Sequence, residues 1–195
     1  MKKNLVVSLL ASVALMLLSA PGFAQDKASA AATYTVDKAH STLLFKIHHM
    51  NAAMFYGQFL DFSGTVSESA KGLDVKFEVK TDSVFTNVKK RDDHLKSPDF
   101  FNAKEFPVIT FVSTSSKKKG KNYEVKGNLT LNGKTKEITA VVEPTGTGKG
   151  MQGETIKGYH STFKIKRSDF GMQFMQGAGL GDEVTVIVSV EAGAK

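Results

Sequence analysis

The chain has 195 residues, a length that suits one domain or at most two. It contains no cysteine, which excludes a disulfide framework, a thiol nucleophile and a cysteine-type zinc site. The formal net charge of +7 is carried by lysines scattered along the chain, so we expect a solubilised surface and no nucleic-acid partner.

Residues 1–24 have the composition of a secretory signal peptide. Lys2 and Lys3 form a charged start, the run from Leu5 to Leu18 is almost wholly apolar, and Ala24 offers a small residue to a signal peptidase. The apolar run is short for a membrane-spanning helix, although an uncleaved anchor is the alternative. The pattern therefore predicts a cleaved signal.

This signal sets the boundaries of the mature protein. Cleavage before Gln25 would deliver the protein to the periplasm of a Gram-negative cell. The next residues are small and polar, so residues 25–33 are predicted as a flexible leader. The composition changes at Tyr34, and we expect a single domain over residues 34–192.

From Tyr34 onward, apolar and polar residues alternate with the period of β-strands that bury one face. Phe59 and Phe62 break this period, which predicts a bulge near Leu60 and Asp61. The pair Asn132-Gly133 is typical of a two-residue hairpin turn. The predicted strands cover residues 34–49, 57–66, 73–80, 108–112, 123–131, 134–143, 159–167 and 184–190.

The connections between these strands are predicted as turns and loops. Residues 115–122 form a lysine-rich hairpin tip, residues 144–153 a glycine-rich loop, and residues 169–181 an irregular connection. Residues 146–150 lack the spacing of a phosphate-binding loop. The lysines at 117–119 are interpreted as a solvated turn, with transient contact to an anionic membrane surface as the alternative.

Strand alternation stops around residues 87–104, which predict a short helical insert. Val88, Arg91 and Leu95 share one helical face. The pair Ser97-Pro98 predicts a second short helix, because serine is a common N-cap and proline suits the first helical turn. We interpret the insert as a plug across a β-structure and a candidate lid, with its apolar area supplied by Phe100, Phe101 and Phe106.

The pattern as a whole predicts an all-β fold. About eight strands joined mostly by short turns favour an antiparallel sheet, and closure into a barrel removes its exposed edges. The 14 phenylalanines predict an apolar interior. The sequence leaves open whether side chains fill this interior or line a tunnel.

Six motifs occur in order between Tyr34 and Val190. They are His40-Ser41-x-x-x-Phe45-x-x-x-His49; Gly57-x-Phe59-x-x-Phe62-Ser63-Gly64; Ser83-x-x-Thr86 with Arg91-Asp92-x-His94-Leu95-x-Ser97-x-x-Phe100-Phe101; Phe106-Pro107-x-Ile109-x-Phe111; Gly127-x-Leu129-Thr130-x-x-Gly133; and Arg167-Ser168-Asp169-Phe170-Gly171. Together they resemble the YceI-like family of polyisoprenoid-binding periplasmic proteins. The resemblance implies an extended, lipocalin-like antiparallel barrel that holds a long-chain amphiphile, such as a polyprenyl quinone precursor. It implies no catalytic activity and no cofactor besides this ligand.

Along each predicted strand, every second residue faces the interior of the barrel, and we call this set the inner parity. These residues are expected to contact such a ligand. His49 is expected at one end of the pocket, near the polar head of the ligand. Arg167 has two interpretations, a structural ion pair with Asp169 or contact with a ligand hydroxyl or phosphate. The predicted ligand-binding residues are Leu43, Phe45, Ile47, His49, Phe59, Phe62, Phe77, Ile109, Phe111, Leu129, Phe163, Ile165, Arg167 and Phe170.

The titratable residues suggest structural more than catalytic roles. His40, His48 and His160 are predicted to face outward, so no set of ligands converges and we expect no metal site. Arg91 is expected to form an ion pair that fixes the insert to the barrel, because an unpaired buried charge is costly. No Gly-x-Ser-x-Gly nucleophile elbow occurs, which disfavours a hydrolase.

The leading hypothesis is a non-enzymatic periplasmic protein that binds, transports or stores one isoprenoid or similar lipid. Two alternatives belong to other classes: an enzyme acting on a lipid-like substrate with His49 or His94 as base, and a self-filled barrel that serves as an interaction module. The sequence leaves open the identity of the lipid and the choice between a monomer and a homodimer.

Overall fold

The computed structural model describes residues 31–194, whose backbone is dominated by one antiparallel sheet. The predicted signal peptide and the leader up to residue 30 lie outside the described residues, and β-structure begins at Ala32, inside the predicted leader. The strands are β1 (Ala32–His49), β2 (Ala53–Phe59), β3 (Phe62–Ser69), β4 (Gly72–Lys80), β5 (Val84–Phe85), β6 (Val108–Lys119), β7 (Asn122–Leu131), β8 (Lys134–Lys149), β9 (Thr155–Lys166) and β10 (Leu180–Ala194).

The sheet closes on itself because β10 pairs with β1. The barrel consists of eight strands, β1, β3, β4 and β6 to β10, each antiparallel to its neighbours. Strands β2 and β3 pair with different parts of β1 along the same edge, and the short β5 pairs with β2. Closure removes the long unpaired edges that an open sheet would expose. The predicted all-β antiparallel barrel of about eight strands is confirmed.

The irregularity predicted near Leu60 and Asp61 is a break between β2 and β3. Both of these strands pair with β1, so together they act as one interrupted strand. On its other side, β1 shifts register against β10 between Asp37 and Thr42. A register shift in β1 therefore accompanies the break in its neighbour, whereas the sequence pattern predicted only a bulge near Leu60 and Asp61.

Two predicted connections are largely strand, so those boundaries were wrong. Residues 115–119 belong to β6 and residues 144–149 belong to β8. Cross-strand pairing explains the difference, because Lys117 lies opposite Glu124 and Gly148 lies opposite Ile156. Polar and glycine-rich segments have weak strand propensity alone, but an adjacent strand supplies hydrogen bonds that outweigh it.

The helical insert begins with α1 (Lys89–Leu95), as predicted, but the second helix predicted from Ser97 is wrong. The chain turns back instead, and the backbone N–H of Phe101 donates to the carbonyl of Leu95 at 3.0 Å. Asn102 then adopts a left-handed backbone with φ 44°, which a continuing right-handed helix excludes. The segment after α1 is a series of turns that brings its aromatic residues over the barrel.

The two ends of the barrel differ, and we name them by what they carry. The insert end carries α1, the β1–β2 turn and the segment 171–179 that precedes β10. The hairpin end carries the β6–β7 and β8–β9 turns. Within residues 31–194, no helix has both the length and the hydropathy needed to span a membrane.

Candidate functional site

A cavity of about 630 Å³ runs inside the barrel, within the range of typical small-molecule sites. Its walls are the inner faces of the strands, and its lining is almost entirely apolar. Twelve of the fourteen residues predicted to contact a ligand line it: Leu43, Phe45, Ile47, His49, Phe59, Phe77, Ile109, Phe111, Leu129, Phe163, Ile165 and Arg167. The barrel is therefore not filled by its own side chains.

Phe62 and Phe170 were also predicted to line the cavity, and the structure places both elsewhere. Phe62 is buried and stacked on Phe77, with ring centroids 6.1 Å apart, and of the two only Phe77 lines the cavity. Phe170 is fully buried in a 3-10 turn (Arg167–Phe170) after β9. Because it is not in a strand, the alternation that directs strand residues into the barrel does not apply to it. Both belong to the core that supports the wall.

Glycines on the inner face make room for three of the lining phenylalanines. Phe45 lies directly opposite Gly57 on the paired strand, and a β-carbon on Gly57 would come within 2.3 Å of the Phe45 ring. Phe77 likewise lies opposite Gly64, whereas the Phe111 ring lies over Gly127, which pairs with Ser113 two residues further along β6. Each ring lies against the wall over a missing side chain, which keeps the centre of the barrel open.

The sequence analysis missed part of the lining, although the signal was present for most of it. The valines of β10 follow the same inner parity as the predicted residues, and parity alone would have included them. The insert could not be placed in this way, because turns have no parity. The missed residues include Val75, Val79, Leu131, Val184, Val186, Val188 and Val190 from strands, and Leu95, Phe100 and Phe101 from the insert.

The insert closes over part of the cavity through an aromatic cluster. The Phe101 ring lies 5.3 Å from Phe59 and 6.3 Å from Phe45, and these two rings lie 5.8 Å from each other. Offset and edge-to-face contacts of this kind favour a fixed arrangement. The predicted plug is therefore in contact with the cavity wall through Phe101.

The cavity opens at the insert end. Three lining residues there, His49, Phe174 and Met175, are exposed to solvent. His94 stands edge-on to Phe100 and Phe174, and its Nε2 lies 2.8 Å from a carboxylate oxygen of Asp99. This mouth combines the imidazole rings of His49 and His94 with aromatic rings.

The hairpin end is closed by buried residues and one ion pair. Val66, Tyr159 and Val190 line the cavity there and are all buried. Behind them Lys157 pairs with Glu68, and this hydrogen bond raises the pKa of the lysine. Burial raises the pKa of Tyr159 well above its ordinary value. Access from this end would require breaking that packing.

Arg91 reaches the cavity, but the expected ion pair is absent from the described residues. Its Nε donates to the Thr86 hydroxyl at 2.8 Å, one terminal nitrogen donates to the Thr86 carbonyl at 2.7 Å, and its guanidinium stacks 4.3 Å over the Phe55 ring. The neighbouring carboxylate of Asp92 accepts from the Thr86 N–H instead. Val88, expected on the same buried face, is exposed.

Arg167 is buried and also lacks the partner expected for it. It donates to the carbonyls of Gly181 and Met172 at 2.8 Å and of Leu180 at 3.3 Å, whereas the described chain shows no hydrogen bond or ion pair between Arg167 and Asp169. Burial lowers the pKa of Arg167, and the nearby charge of Asp182 partly offsets this. Arg167 therefore fixes the 172–181 segment at the mouth.

His40 lies outside the barrel at the β1 bulge, as expected, but it belongs to a cluster that the sequence did not indicate. Its Nδ1 lies 2.7 Å from a carboxylate oxygen of Asp37, and Glu191 brings a third group, with all three ligand atoms within 4.8 Å. His40 is exposed, Asp37 and Glu191 are half-buried, and none of the three lines the cavity. The hydrogen bond with Asp37 accounts for the position of His40.

A family model for the YceI-like domain matches residues 34–192. Protein YceI of Salmonella newport is 40% identical over 196 residues, an alignment that covers 98% of this chain and 97% of the relative. Protein YceI of Salmonella arizonae matches to the same extent.

Solved structures with the same architecture support this match. BcnA of Burkholderia cenocepacia has a TM-score of 0.73 at 27% identity and covers 80% of this chain and 99% of its own. The YceI protein of Campylobacter jejuni has a TM-score of 0.63 at 31% identity, with 71% and 84% covered. A polyisoprenoid binding domain from Saccharophagus degradans, with a TM-score of 0.63 at 18% identity, shares the fold over 84% of this chain and 99% of its own.

Proposed function

This chain belongs to the YceI-like family, and we propose that it is a non-enzymatic periplasmic protein that binds one long-chain isoprenoid or similar amphiphilic lipid for transport or storage. The observation that carries the proposal is the continuous apolar cavity of about 630 Å³ with one open end. Each buried CH₂ contributes about 0.8 kcal/mol, so a long chain binds well with few polar contacts.

The arrangement of polar groups supports one orientation of the ligand. The hairpin end is closed by buried residues, so the apolar tail enters first and the head remains at the insert end. There, Arg91 and His49 line the cavity, and a terminal nitrogen of Arg91 not used by Thr86 can donate to a head-group oxygen. The polyisoprenoid binding domain that shares this fold gives independent support for the ligand class.

The same geometry argues for binding over catalysis. Among the described lining residues, Ser161 is a hydroxyl that could act as a nucleophile, but it donates to the carbonyl of Val141 at 2.8 Å. His94 is held by Asp99 and packed between two phenylalanines. A binding protein needs only the cavity and its mouth.

Native mass spectrometry of protein purified without detergent extraction tests this proposal. We expect one lipid per protein, recovered chemically unchanged after extraction and able to rebind to the emptied barrel. Phe163→Trp places a larger ring in the cavity and should abolish uptake, whereas Val141→Trp places the same ring on the exposed outer face and should leave it intact.

Two results would overturn the proposal. A lipid that is converted to a product during incubation would identify an enzyme. An emptied barrel that takes up neither a polyprenol nor a long-chain fatty acyl lipid would identify an interaction module.

A further inference from the structure

Four exposed apolar side chains surround the open end of the cavity. They are Met50 at 55%, Met54 at 54%, Phe174 at 38% and Met175 at 36% of full exposure, and we call them the mouth rim. Large apolar side chains grouped at a functional opening mark interaction sites more often than solvated surface. Methionine is flexible and polarisable, which suits contact with an irregular apolar phase.

The two segments that carry the mouth rim are packed together. A β-carbon on Gly179 would lie 3.1 Å from the Met50 sulfur, so the β1–β2 turn touches the segment before β10. Met50 and Met175 hold left-handed backbone conformations with φ 52° and 54°. Such conformations are costly for non-glycine residues and persist only where the surroundings impose them. The surrounding structure therefore fixes the backbone of the mouth rim at Met50 and Met175.

The mouth rim is continuous with the cavity. Phe174 and Met175 line the cavity with one side and are exposed on the other. Met54 lies opposite His48 on β1 and next to Phe55, which also lines the cavity. An apolar phase in contact with the rim would therefore reach the lumen without an intervening water layer.

We propose that the mouth rim docks on a lipid bilayer and inserts shallowly into it, so that the cavity opens directly into the membrane. The inference rests on the proposed function, because a bilayer is where an isoprenoid ligand resides. A chain leaving a bilayer through water would expose all its apolar surface, whereas a chain passing through a docked mouth stays in apolar surroundings.

The surface just outside the rim suits the head-group layer. Tyr56 is half exposed on the outer face of β2, directly opposite Lys46 of β1. Tyrosine favours the membrane interface, where its ring is apolar and its hydroxyl is wet, and lysine can reach lipid phosphates. A lipid surface with anionic head groups therefore matches this face in both polarity and charge.

The opposite end of the barrel provides the competing surface. The lysines at 117–119, for which the sequence left membrane contact open, lie at the hairpin end together with the fully exposed Met151. That end is closed by buried residues and the Glu68–Lys157 pair. Docking there would leave the mouth in water, so the two ends make opposite predictions.

Single tryptophan reporters distinguish the ends, because the natural sequence contains no tryptophan. Met54→Trp places the reporter on the rim, and Met151→Trp is the matched control at the hairpin end. With vesicles of phosphatidylethanolamine and phosphatidylglycerol, we expect a blue shift and quenching by brominated lipid for Met54→Trp only. A blue shift for Met151→Trp alone, or for neither variant, would overturn the proposal.

Charge variants measure the contribution to binding. Met50→Glu combined with Met54→Glu should weaken vesicle co-sedimentation by about tenfold or more, while Met151→Glu and Lys118→Glu should change it less than about twofold. A stronger loss for Lys118→Glu would assign docking to the hairpin end. A Met54→Trp signal that changes with protein concentration in the absence of vesicles would assign the rim to an interface between copies of the chain.

Loading from solution separates this inference from the proposed function. The Met50→Glu, Met54→Glu variant should still take up lipid from detergent micelles, because neither side chain lines the cavity. Vesicle docking by a protein that takes up no lipid would support the docking surface and contradict the carrier. Uptake of lipid without any docking that depends on the mouth rim would support the carrier and contradict the docking surface.

Discussion

Arg91 and Arg167 show how individual residues organise the mouth. Each guanidinium donates to main-chain carbonyls, and Arg91 also uses a threonine hydroxyl and an aromatic face. Carbonyl oxygens carry enough partial negative charge to satisfy a guanidinium without a carboxylate. The expected ion pairs were wrong in their partners, whereas each arginine does fix a segment next to the cavity.

Replacing Arg167 should destabilise the protein strongly. Arg167→Met removes three charged hydrogen bonds, one to Met172 and two to the start of β10, so we expect the free energy of unfolding in urea to fall by about 2–4 kcal/mol. Lys166→Met, at the exposed neighbouring position, is the control and should change it by less than about 0.5 kcal/mol. Equal effects of the two variants would contradict the structural role of Arg167.

His40 should titrate above the ordinary histidine range. Its hydrogen bond with Asp37 raises the pKa of His40, and the same bond lowers the pKa of Asp37. The contribution of His40 to stability is thus fully present below its unfolded pKa of about 6.5 and is lost as pH rises through its raised folded pKa. The contribution of Asp37 is lost as pH falls through its lowered folded pKa.

NMR titration of the His40 ring protons measures this shift directly. Asp37→Asn should return the pKa of His40 towards about 6.5, and Asp74→Asn, an exposed carboxylate elsewhere on the barrel, should leave it raised. An unchanged pKa of His40 in Asp37→Asn would show that a group other than Asp37 raises it.

At the scale of elements, the shape of the lumen depends on pairs of strands. Phenylalanine on one strand and glycine on its neighbour allow the ring to lie along the wall, as Phe45 does over Gly57. Neither strand alone specifies this arrangement, because the space belongs to one strand and the ring to the other. The aromatic residues therefore add apolar surface without filling the cavity.

A side chain at Gly57 should push the Phe45 ring into the lumen. Gly57→Val would place its β-carbon 2.3 Å from that ring in the present geometry, so the ring must move. We expect a loss of stability of about 1–3 kcal/mol and a loss of lipid uptake larger than this destabilisation explains. The two quantities are measured by urea unfolding and by rebinding of a polyprenol to emptied protein.

Gly146→Val is the matched control for this change. It lies in β8, where an added β-carbon would meet nothing within 4 Å. Its uptake should equal that of the natural protein. Full uptake by Gly57→Val at the natural affinity would show that Phe45 does not limit the lumen.

The whole molecule is a closed barrel with two unlike ends. Closure depends on pairing between β1 and β10, the first and last of the described strands, so the whole stretch from β1 to β10 is needed to form the cavity. The insert lies at the open end because Phe101 packs on Phe45 and Phe59, which belong to strands that reach that end. This polarity gives the protein one route for an apolar ligand.

Export should remove the predicted signal and leave the barrel complete. Cleavage before Gln25 would retain all of β1, which begins at Ala32. Mass spectrometry of protein from the periplasmic fraction of a Gram-negative host should give an N-terminus at Gln25, and Ala24→Arg should block processing. Recovery of protein that retains Met1 in the cytoplasm would contradict the predicted localisation.

The sequence by itself determined the fold class and most of the cavity wall. Alternation along a strand is a local property, so Phe163 and Ile165 could be assigned to the inner face without knowing their neighbours. The helix α1 was also evident, because its residues depart from that alternation. The motif pattern further indicated the family and the class of ligand.

Only the tertiary structure decided which end of the barrel is open, whether the interior is empty, and what holds the arginines. These properties depend on contacts between residues far apart in the chain, such as Phe45 with Gly57 or Met50 with Gly179. Phe62 was misplaced for the same reason, since strand alternation gives the direction of a side chain but not what covers it. Phe170 was misplaced because it lies in a 3-10 turn, where strand alternation does not apply. Volume and access arise from several strands at once, and a pattern along one strand does not contain them.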